Sequence, residues 1–247
     1  MRYLTKQWYY TMTDSGLGVC LEKDAQAAEC SEELYQTLRA QKLAQWLRDR
    51  EEVCEVLEEP FDPAEEVRSF DKFCARELEH YRIRTPEHIL LKVADLRVLA
   101  LGFCTAEVYR DFSDYRALCE KWTEKTIEEA WNMRVSQGLE NAFTEEHSLH
   151  DAFVLSLNRE GEDLVLEFEY DEEAAWPEIR GVRFQDAKIL KQEGPVQNAW
   201  WLYDEIWKTG EGAFEIHALL WRNEDLLELT IECRDTELVW TMEPKAE

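Results

Sequence analysis

The densest group of titratable side chains in the sequence is the stretch E-E-H-S-L-H-D at 145–151. Its carboxylates and imidazoles are those of Glu145, Glu146, His147, His150 and Asp151. If the stretch were helical, Glu146 and His150 would share a face at i, i+4, and so would His147 and Asp151. That spacing suits a divalent cation. As an alternative to a protein without catalysis, the pattern indicates a metal-dependent hydrolase that uses His147, His150 and Asp151, with Glu146 as a further candidate ligand of a divalent metal.

A structural role for the same stretch stays open. It differs from H-E-x-x-H, and an alternating strand pattern starts at Asp151, which separates one of the two pairs. His150 and Asp151 would then orient the first strand through hydrogen bonds to the backbone. Apart from this metal, the sequence indicates no cofactor, because the glycines form neither G-x-x-x-x-G-K nor G-x-G-x-x-G.

A second candidate for acid–base chemistry is the pair Glu215 and His217. Both occupy the same phase of an alternating segment, opposite Phe214, Ile216 and Ala218, so they share one face of a strand. Such a pair can transfer protons, and it also occurs as an ordinary half-exposed polar face. The candidate catalytic residues are therefore His150, Asp151, His217 and Glu215. No G-x-S-x-G is present, and the sequence favours a protein that is not an enzyme.

Tryptophan is concentrated in the second half of the chain, where the segment A-W-W-L-Y-D-E-I-W-K at 199–208 contains three of them. As a strand, this segment places Trp201, Tyr203 and Trp207 on one side, and it also fits a single helix. Aromatic rings serve as core, as partner surfaces or as sugar-binding faces. We take Trp200, Trp201, Tyr203 and Trp207 as candidate partner-binding residues. Binding of a carbohydrate or small molecule by this Trp-rich half is an alternative.

The elements that must position these residues are helices in the first half. Leu4–Met12 predicts a short amphipathic helix that must dock on the rest of the chain, because a single aromatic-rich turn is not stable alone. Ser31 and Asp62-Pro63 predict the starts of two long helices, and Ser113 that of another. Pro86–Phe103 is apolar on almost every face and predicts one buried helix at the centre of the core.

The period changes from 3.6 to 2 after Asp151. Two hairpins are predicted, one turning near Gly161 and one at 221–225, with one or two more strands over Ile179–Leu190. The fold class is therefore α+β, an N-terminal helical bundle followed by an antiparallel β-sheet domain. The predicted domains are 1–143 and 148–247.

Net charge and cysteine spacing limit the partners and the cellular compartment that we expect for the protein. The formal net charge is −26, a sign that repels nucleic-acid backbones and anionic membrane surfaces, so neither is an expected partner. The seven cysteines show no C-x-x-C spacing. Neither a secretory signal nor a membrane span is indicated in the sequence. We expect a cytoplasmic protein.

Four segments of the chain carry a resemblance to a known family. They are M-R-Y-L-T-K-Q-W-Y at the start, K-V-A-D-L-R-V-L-A-L-G at 92–102, L-H-D at 149–151 and W-W-L-Y-D-E at 200–205. Over nearly its whole length the chain resembles the bacterial Domain of Unknown Function family DUF4085. The resemblance implies a cytosolic bacterial protein and no particular activity. The last hundred residues are also loosely similar to small all-β domains of bacterial immunity proteins, through L-H-D and the alternating strands.

The sequence thus favours a cytosolic acidic protein that binds a protein partner without catalysis. The most specific version of this hypothesis is an immunity-like module. A surface of this charge predicts a partner of basic character.

Overall fold

The computed structural model of the chain describes residues 1–139, 149–170, 179–210 and 212–240. Helices precede an antiparallel sheet, so the predicted α+β class is confirmed. The helices are α1 Lys6–Asp14, α2 Glu32–Leu57, α3 Pro63–Arg84, α4 Glu87–Leu90, α5 Leu96–Ala100 and α6 Ala106–Ser136, with a 3-10 turn at Ala25–Ala28. The strands are β1 Glu22–Lys23, β2 Phe103–Cys104, β3 Ala152–Glu160, β4 Asp163–Glu169, β5 Ile179–Gln185, β6 Lys188–Gln192, β7 Trp200–Lys208, β8 Phe214–Arg222, β9 Asp225–Cys233 and β10 Asp235–Trp240. Among the described residues, no helix has the length and apolar character needed to cross a membrane.

The long helices begin where side-chain oxygens satisfy free backbone N–H groups. The Ser31 hydroxyl accepts from the Leu34 amide at 3.3 Å, and the Asp62 carboxylate accepts from the Ala64 amide at 2.9 Å, as the sequence predicts. Helix α6 begins at Ala106 rather than at Ser113. Its first-turn hydrogen bond comes from Thr105, whose hydroxyl accepts from the Val108 amide at 3.2 Å.

The prediction that Pro86–Phe103 forms one continuous helix is wrong. The segment contains the short helices α4 and α5 and ends in β2. The break lies at Asp95, whose backbone is extended and whose carboxylate accepts from the Arg97 amide at 2.9 Å to start α5. The same geometry lets the Arg97 guanidinium bond back to Asp95 at 2.7 Å, a pairing that a continuous helix would prevent. The segment is nevertheless central, because Ile89, Val98 and Leu99 are buried.

The chain forms two compact units. The helical unit is Met12–Lys121, and the β unit is Met1–Thr11 together with Trp122–Glu247. The domain boundary predicted between 143 and 148 lies outside the described residues and stays a prediction. In the helical unit, one hydrophobic cluster surrounds Ile89, Leu99 and Phe112, and a second surrounds Leu38, Phe70 and Val98.

The β unit contains an eight-stranded sheet in the order β10-β5-β4-β3-β7-β8-β9-β6, in which every neighbouring pair is antiparallel. Strands β3 and β7 pair at only two positions, so the sheet consists of two four-stranded halves. One hydrophobic cluster includes Leu166 and Phe184 from the first half and Ile216 and Ile231 from the second. The sheet therefore folds over, and the inner faces of its halves share a core. Both predicted hairpins, β3–β4 and β8–β9, are confirmed.

Candidate functional site

The segment that fitted either a strand or a helix is a strand, β7 at Trp200–Lys208, and its geometry depends on a bulge at Leu202. Trp201 pairs with Leu220, whereas Tyr203 pairs with Leu219, so Leu202 is an extra residue. The bulge reverses the alternation of side chains. Trp201 lies on the inner face and is 1% exposed, whereas Tyr203 and Trp207 lie on the other face. The prediction that these three rings share one side is wrong because a regular alternation does not include a bulge.

The face of β7, β8 and β9 that points away from the shared core is here called the outer face. The N-terminal residues 1–11 dock on it, in agreement with the expectation that the aromatic start of the chain must pack on a later part of the protein. Met1 and Tyr9 cover the buried Leu202, Leu219 and Leu226. Trp8 is fully buried and meets Tyr203 edge to face at 4.8 Å. We call residues 1–11 the N-terminal arm.

The carboxylate of Glu205 fixes the arm. It accepts hydrogen bonds from the backbone N–H groups of Arg2 at 2.9 Å, Tyr3 at 2.8 Å and Leu4 at 2.6 Å. A fourth hydrogen bond, at 3.1 Å, comes from the Trp207 indole N–H. Glu205 is 3% exposed. A buried carboxylate is stable only when its oxygens are satisfied, so these four donors explain how the charge is accommodated inside the protein.

His217 and Glu215, the predicted acid–base pair, lie next to this contact. Their side chains meet, with His217 Nε2 at 2.9 Å from the Glu215 carboxylate. The α-ammonium of Met1 lies 3.1 Å from His217 Nδ1 and 3.9 Å from the Glu228 carboxylate. An ammonium can only donate, so Nδ1 accepts and the proton of the neutral imidazole is on Nε2, where it is donated to Glu215. A catalytic role of the pair stays a prediction.

Further cations of the arm bind on the same face. The Arg2 guanidinium stacks 3.8 Å from the centre of the Trp207 ring, and Lys6 pairs with Glu193 at 2.6 Å. Glu193 also pairs with Lys191 at 2.9 Å. Burial raises the pKa of Glu193, but the hydrogen bonds from Lys6, Lys191 and the Glu228 backbone outweigh it and hold the pKa at about 2. The outer face thus accepts N–H groups and positive charge.

A row of aromatic rings crosses the outer face beside the arm. Phe153 on β3 is the cross-strand partner of Trp200 on β7, and Trp200 is that of Trp221 on β8. The Phe153 and Trp200 ring centres are 5.0 Å apart. Trp200 is 37% exposed and Trp221 is 41% exposed. We call Phe153, Trp200 and Trp221 the aromatic row. Of the four predicted partner-binding residues, Trp201 and Trp207 are buried, Tyr203 is half-buried and Trp200 has the most accessible ring.

The predicted metal ligands are only partly described. Glu146 and His147 lie outside the described residues, as does Glu145. His150 and Asp151 are exposed, and His150 Nδ1 lies 2.9 Å from the Asp151 carboxylate. Within residues 1–139, 149–170, 179–210 and 212–240, no group of three or more His, Cys, Asp or Glu side chains is arranged to hold a metal ion. The metal site therefore stays a prediction.

Sequence reasoning missed Glu205 and the arm residues that bind it. The signal was the acidic pair Asp204-Glu205 between Tyr203 and Ile206-Trp207, in a strand with few other polar side chains. A charge at such a position indicates a buried partner. That partner, the backbone of residues 2–4, lies about two hundred positions away in the chain, and no local pattern identifies it.

Comparison with known proteins identifies a family. No curated protein and no solved structure matches the chain. Residues 107–233 match the family described as Protein of unknown function (DUF4085). The match extends from the first turn of α6 to the end of β9 and includes the aromatic row, Glu205 and His217. The chain belongs to the DUF4085 family.

Proposed function

We propose that the β unit is a non-enzymatic module that binds a basic segment of a protein partner on the aromatic row. The observation that carries this proposal is the pair of indoles of Trp200 and Trp221, which lie opposite each other on adjacent strands and are 37% and 41% exposed. Large aromatic side chains, Trp above all, are enriched in protein interfaces and in their energetic centres. Trp200 is thus the predicted partner-binding residue that the geometry favours.

The arm supplies an internal example of the proposed contact. Arg2 stacks its guanidinium on Trp207 of the same outer face at 3.8 Å. A guanidinium or ammonium over an indole is attracted by the negative face of the ring. Lysine or arginine side chains of a partner would make the same contact with Trp200 and Trp221.

Charges around the aromatic row favour a basic partner. Glu169 lies directly across from Phe153 and is exposed, Glu224 lies in the exposed turn after Arg222, and the exposed Asp225 begins β9. The whole chain carries a net charge of −26. Complementary charge speeds encounter with a basic partner and disfavours acidic ones. The immunity-like form of the proposal is that this partner is a basic toxin.

The contacts of the titratable groups support binding rather than catalysis. Glu205 accepts from three arm amides and an indole, and His217 is held between Glu215 and the Met1 ammonium. A general base needs its acceptor free to approach a substrate proton. These groups instead hold the arm.

A fluorescence titration of the full chain tests the proposal. The probe is a short peptide rich in arginine and lysine, compared with the same peptide in which glutamate replaces the basic residues. We expect the basic peptide to bind, and Trp200→Ala or Trp221→Ala to weaken its binding about tenfold, the loss expected when a well-packed interface aromatic is truncated. Neither substitution changes the charge of the protein, so the loss reports on the rings.

The matched control is Trp131→Ala, because Trp131 is another exposed indole of the β unit and lies on α6, outside the aromatic row. We expect this variant to bind the basic peptide as the wild-type chain does. Equal affinity of the Trp200→Ala, Trp221→Ala and wild-type proteins would show that the peptide is held by net charge alone and would overturn the proposal.

The two alternatives give different results. A metal-dependent hydrolase using His147, His150 and Asp151 requires stoichiometric metal in the purified chain, and loss of that metal in His150→Ala. A sugar-binding β unit would bind a neutral oligosaccharide on the exposed indoles without preference for the basic peptide. Metal analysis and a neutral oligosaccharide titration therefore separate these functions from protein binding.

A further inference from the structure

The helical unit contains an aromatic cavity that the proposed function does not use. Its volume is about 260 Å³, and helices α2 and α3 and the end of α5 surround it. The aromatic walls are Trp46, Phe70, Phe73 and Tyr81. Drug-sized ligands occupy pockets of about 300–1,000 Å³, so a cavity of this size fits a smaller molecule.

The rings form inclined walls that are already fixed in position. The Trp46 ring centre lies 5.4 Å from that of Phe73 with an angle of 38° between the planes, and 5.8 Å from that of Phe70 at 61°. The indole N–H of Trp46 donates to Glu66 at 2.9 Å, which holds the ring in this orientation. A ligand that enters therefore meets ring faces from several directions without having to order them first.

A tyrosine side chain with an available hydroxyl lines this cavity. Tyr81 is 8% exposed, and its hydroxyl makes no hydrogen bond to any residue that the structure describes. Burial raises the pKa of Tyr81 to about 12, with smaller contributions from nearby Glu77 and from the Cys20 and Cys104 thiols. The group therefore stays a neutral phenol at physiological pH. Because Tyr81 lines the cavity, its hydroxyl is available to a molecule that enters.

The polar part of the lining favours positive charge. Asp49 and Glu77 both line the cavity, and Glu77 also lies 3.8 Å from the Arg76 guanidinium, which is 5.6 Å from the centre of the Phe73 ring. Lys42, the cation among the described lining residues, is neutralised by Glu22 at 2.6 Å, and its ammonium lies over the Phe103 ring at 4.7 Å. Aromatic faces together with nearby carboxylates are the surroundings in which proteins bind organic ammonium ions.

We propose that this cavity binds a small organic cation, an amine whose ammonium group lies against the rings of Trp46 and Phe73 and donates a hydrogen bond to the hydroxyl of Tyr81. Asp49 balances the charge of the bound amine. The site lies wholly in the helical unit and is independent of the aromatic row of the β unit.

Isothermal titration calorimetry of the full chain with benzylamine tests the site, with benzyl alcohol as the uncharged molecule of nearly the same shape and benzoate as the anion. We expect benzylamine to bind at least about tenfold more tightly than benzyl alcohol, the difference produced by a desolvated cation–π contact and a counter-charge. Benzoate should not bind. Absence of benzylamine binding at millimolar concentration, or equal affinity for benzyl alcohol, would overturn the proposal.

Two variants locate the binding. Tyr81→Phe removes only the hydroxyl, so the helical unit keeps its packing, and benzylamine affinity should fall several-fold. The matched control is Tyr35→Phe, because Tyr35 belongs to the same unit and packs under Arg97 without lining the aromatic cavity. We expect the control to bind benzylamine normally. Benzylamine binding that Tyr81→Phe leaves unchanged would place the amine elsewhere and overturn the proposal.

Discussion

At the scale of single residues, Glu205 decides whether the N-terminal arm stays docked. Its carboxylate accepts hydrogen bonds from three backbone N–H groups and one indole N–H, and all four partners can only donate. Glu205→Gln replaces one acceptor oxygen by an NH2 group, which faces donors and cannot accept from them. We expect a loss of about 2 kcal/mol in the free energy of unfolding, the range for hydrogen bonds to a charged group. Urea denaturation measures it, with Glu224→Gln in the exposed β8–β9 turn as control. An equal effect of the two substitutions would contradict this role.

The ion pair between Glu193 and Lys6 of the arm makes part of the protein's stability depend on pH. Its pKa is lowered from 4.5 to about 2, by Lys6 and Lys191 against an opposing effect of burial. A carboxyl whose pKa is lower in the folded state stabilises that state above its ordinary pKa, and the stabilisation is lost as the pH falls toward the folded value. We therefore expect the difference in stability between the wild-type chain and Glu193→Gln to shrink between about pH 5 and pH 2. Thermal melting across this range measures it. A difference that is constant with pH would contradict the assignment.

At the scale of elements, the approach of β4 and β5 leaves no room at Gly181. A Cβ there would lie 2.5 Å from the Leu166 carbonyl oxygen, which belongs to the backbone and cannot rotate away. We expect Gly181→Ala to destabilise the protein by about 3 kcal/mol, the upper range of overpacking. Gly161, in the β3–β4 turn, has a φ of +66° but open space around it. Gly161→Ala should cost only about 1 kcal/mol. Denaturant unfolding of both variants gives the comparison, and a larger loss at Gly161 would contradict it.

The elements also show how far the sequence alone predicts the fold. The helix caps at Ser31 and Asp62 are confirmed, and so are both hairpins. These features depend only on neighbours within a few residues, so a local pattern is enough to predict them. The break at Asp95 was not predicted, because residues far away in the sequence stabilise it. Glu32 accepts a hydrogen bond from Arg97, and the Cys30 thiol contacts the carboxylate of Asp95, whose backbone is extended. The bulge at Leu202 was not predicted for a similar reason. It is specified by pairing with β8, and it decides which tryptophans of the candidate site are buried.

At the scale of the whole molecule, the arm belongs to the β unit although it lies at the opposite end of the chain. Removal of residues 1–4 takes away three of the four donors to Glu205 and the ring of Tyr3, which stacks on Trp207 at 6.1 Å. The carboxylate keeps one of its four protein donors, and the packing of these residues on β7 is lost, at a cost of about 1–3 kcal/mol. Because the loss falls on β7 and its neighbours, we expect faster amide hydrogen exchange in β7, β8 and β9 and unchanged exchange in α2 and α3.

Mass-spectrometric hydrogen exchange of the shortened and full-length chains measures this difference by segment. Arg2→Ala is the control, because it keeps the backbone N–H that Glu205 accepts and removes only the guanidinium that stacks on Trp207. It should accelerate exchange less than the deletion does, since a cation–π contact contributes about 0.5–2 kcal/mol. Faster exchange throughout both units would mean that the arm stabilises the whole chain, whereas unchanged exchange in β7 would mean that Glu205 finds other donors. Either result would contradict the conclusion that the arm is an integral part of the β unit alone.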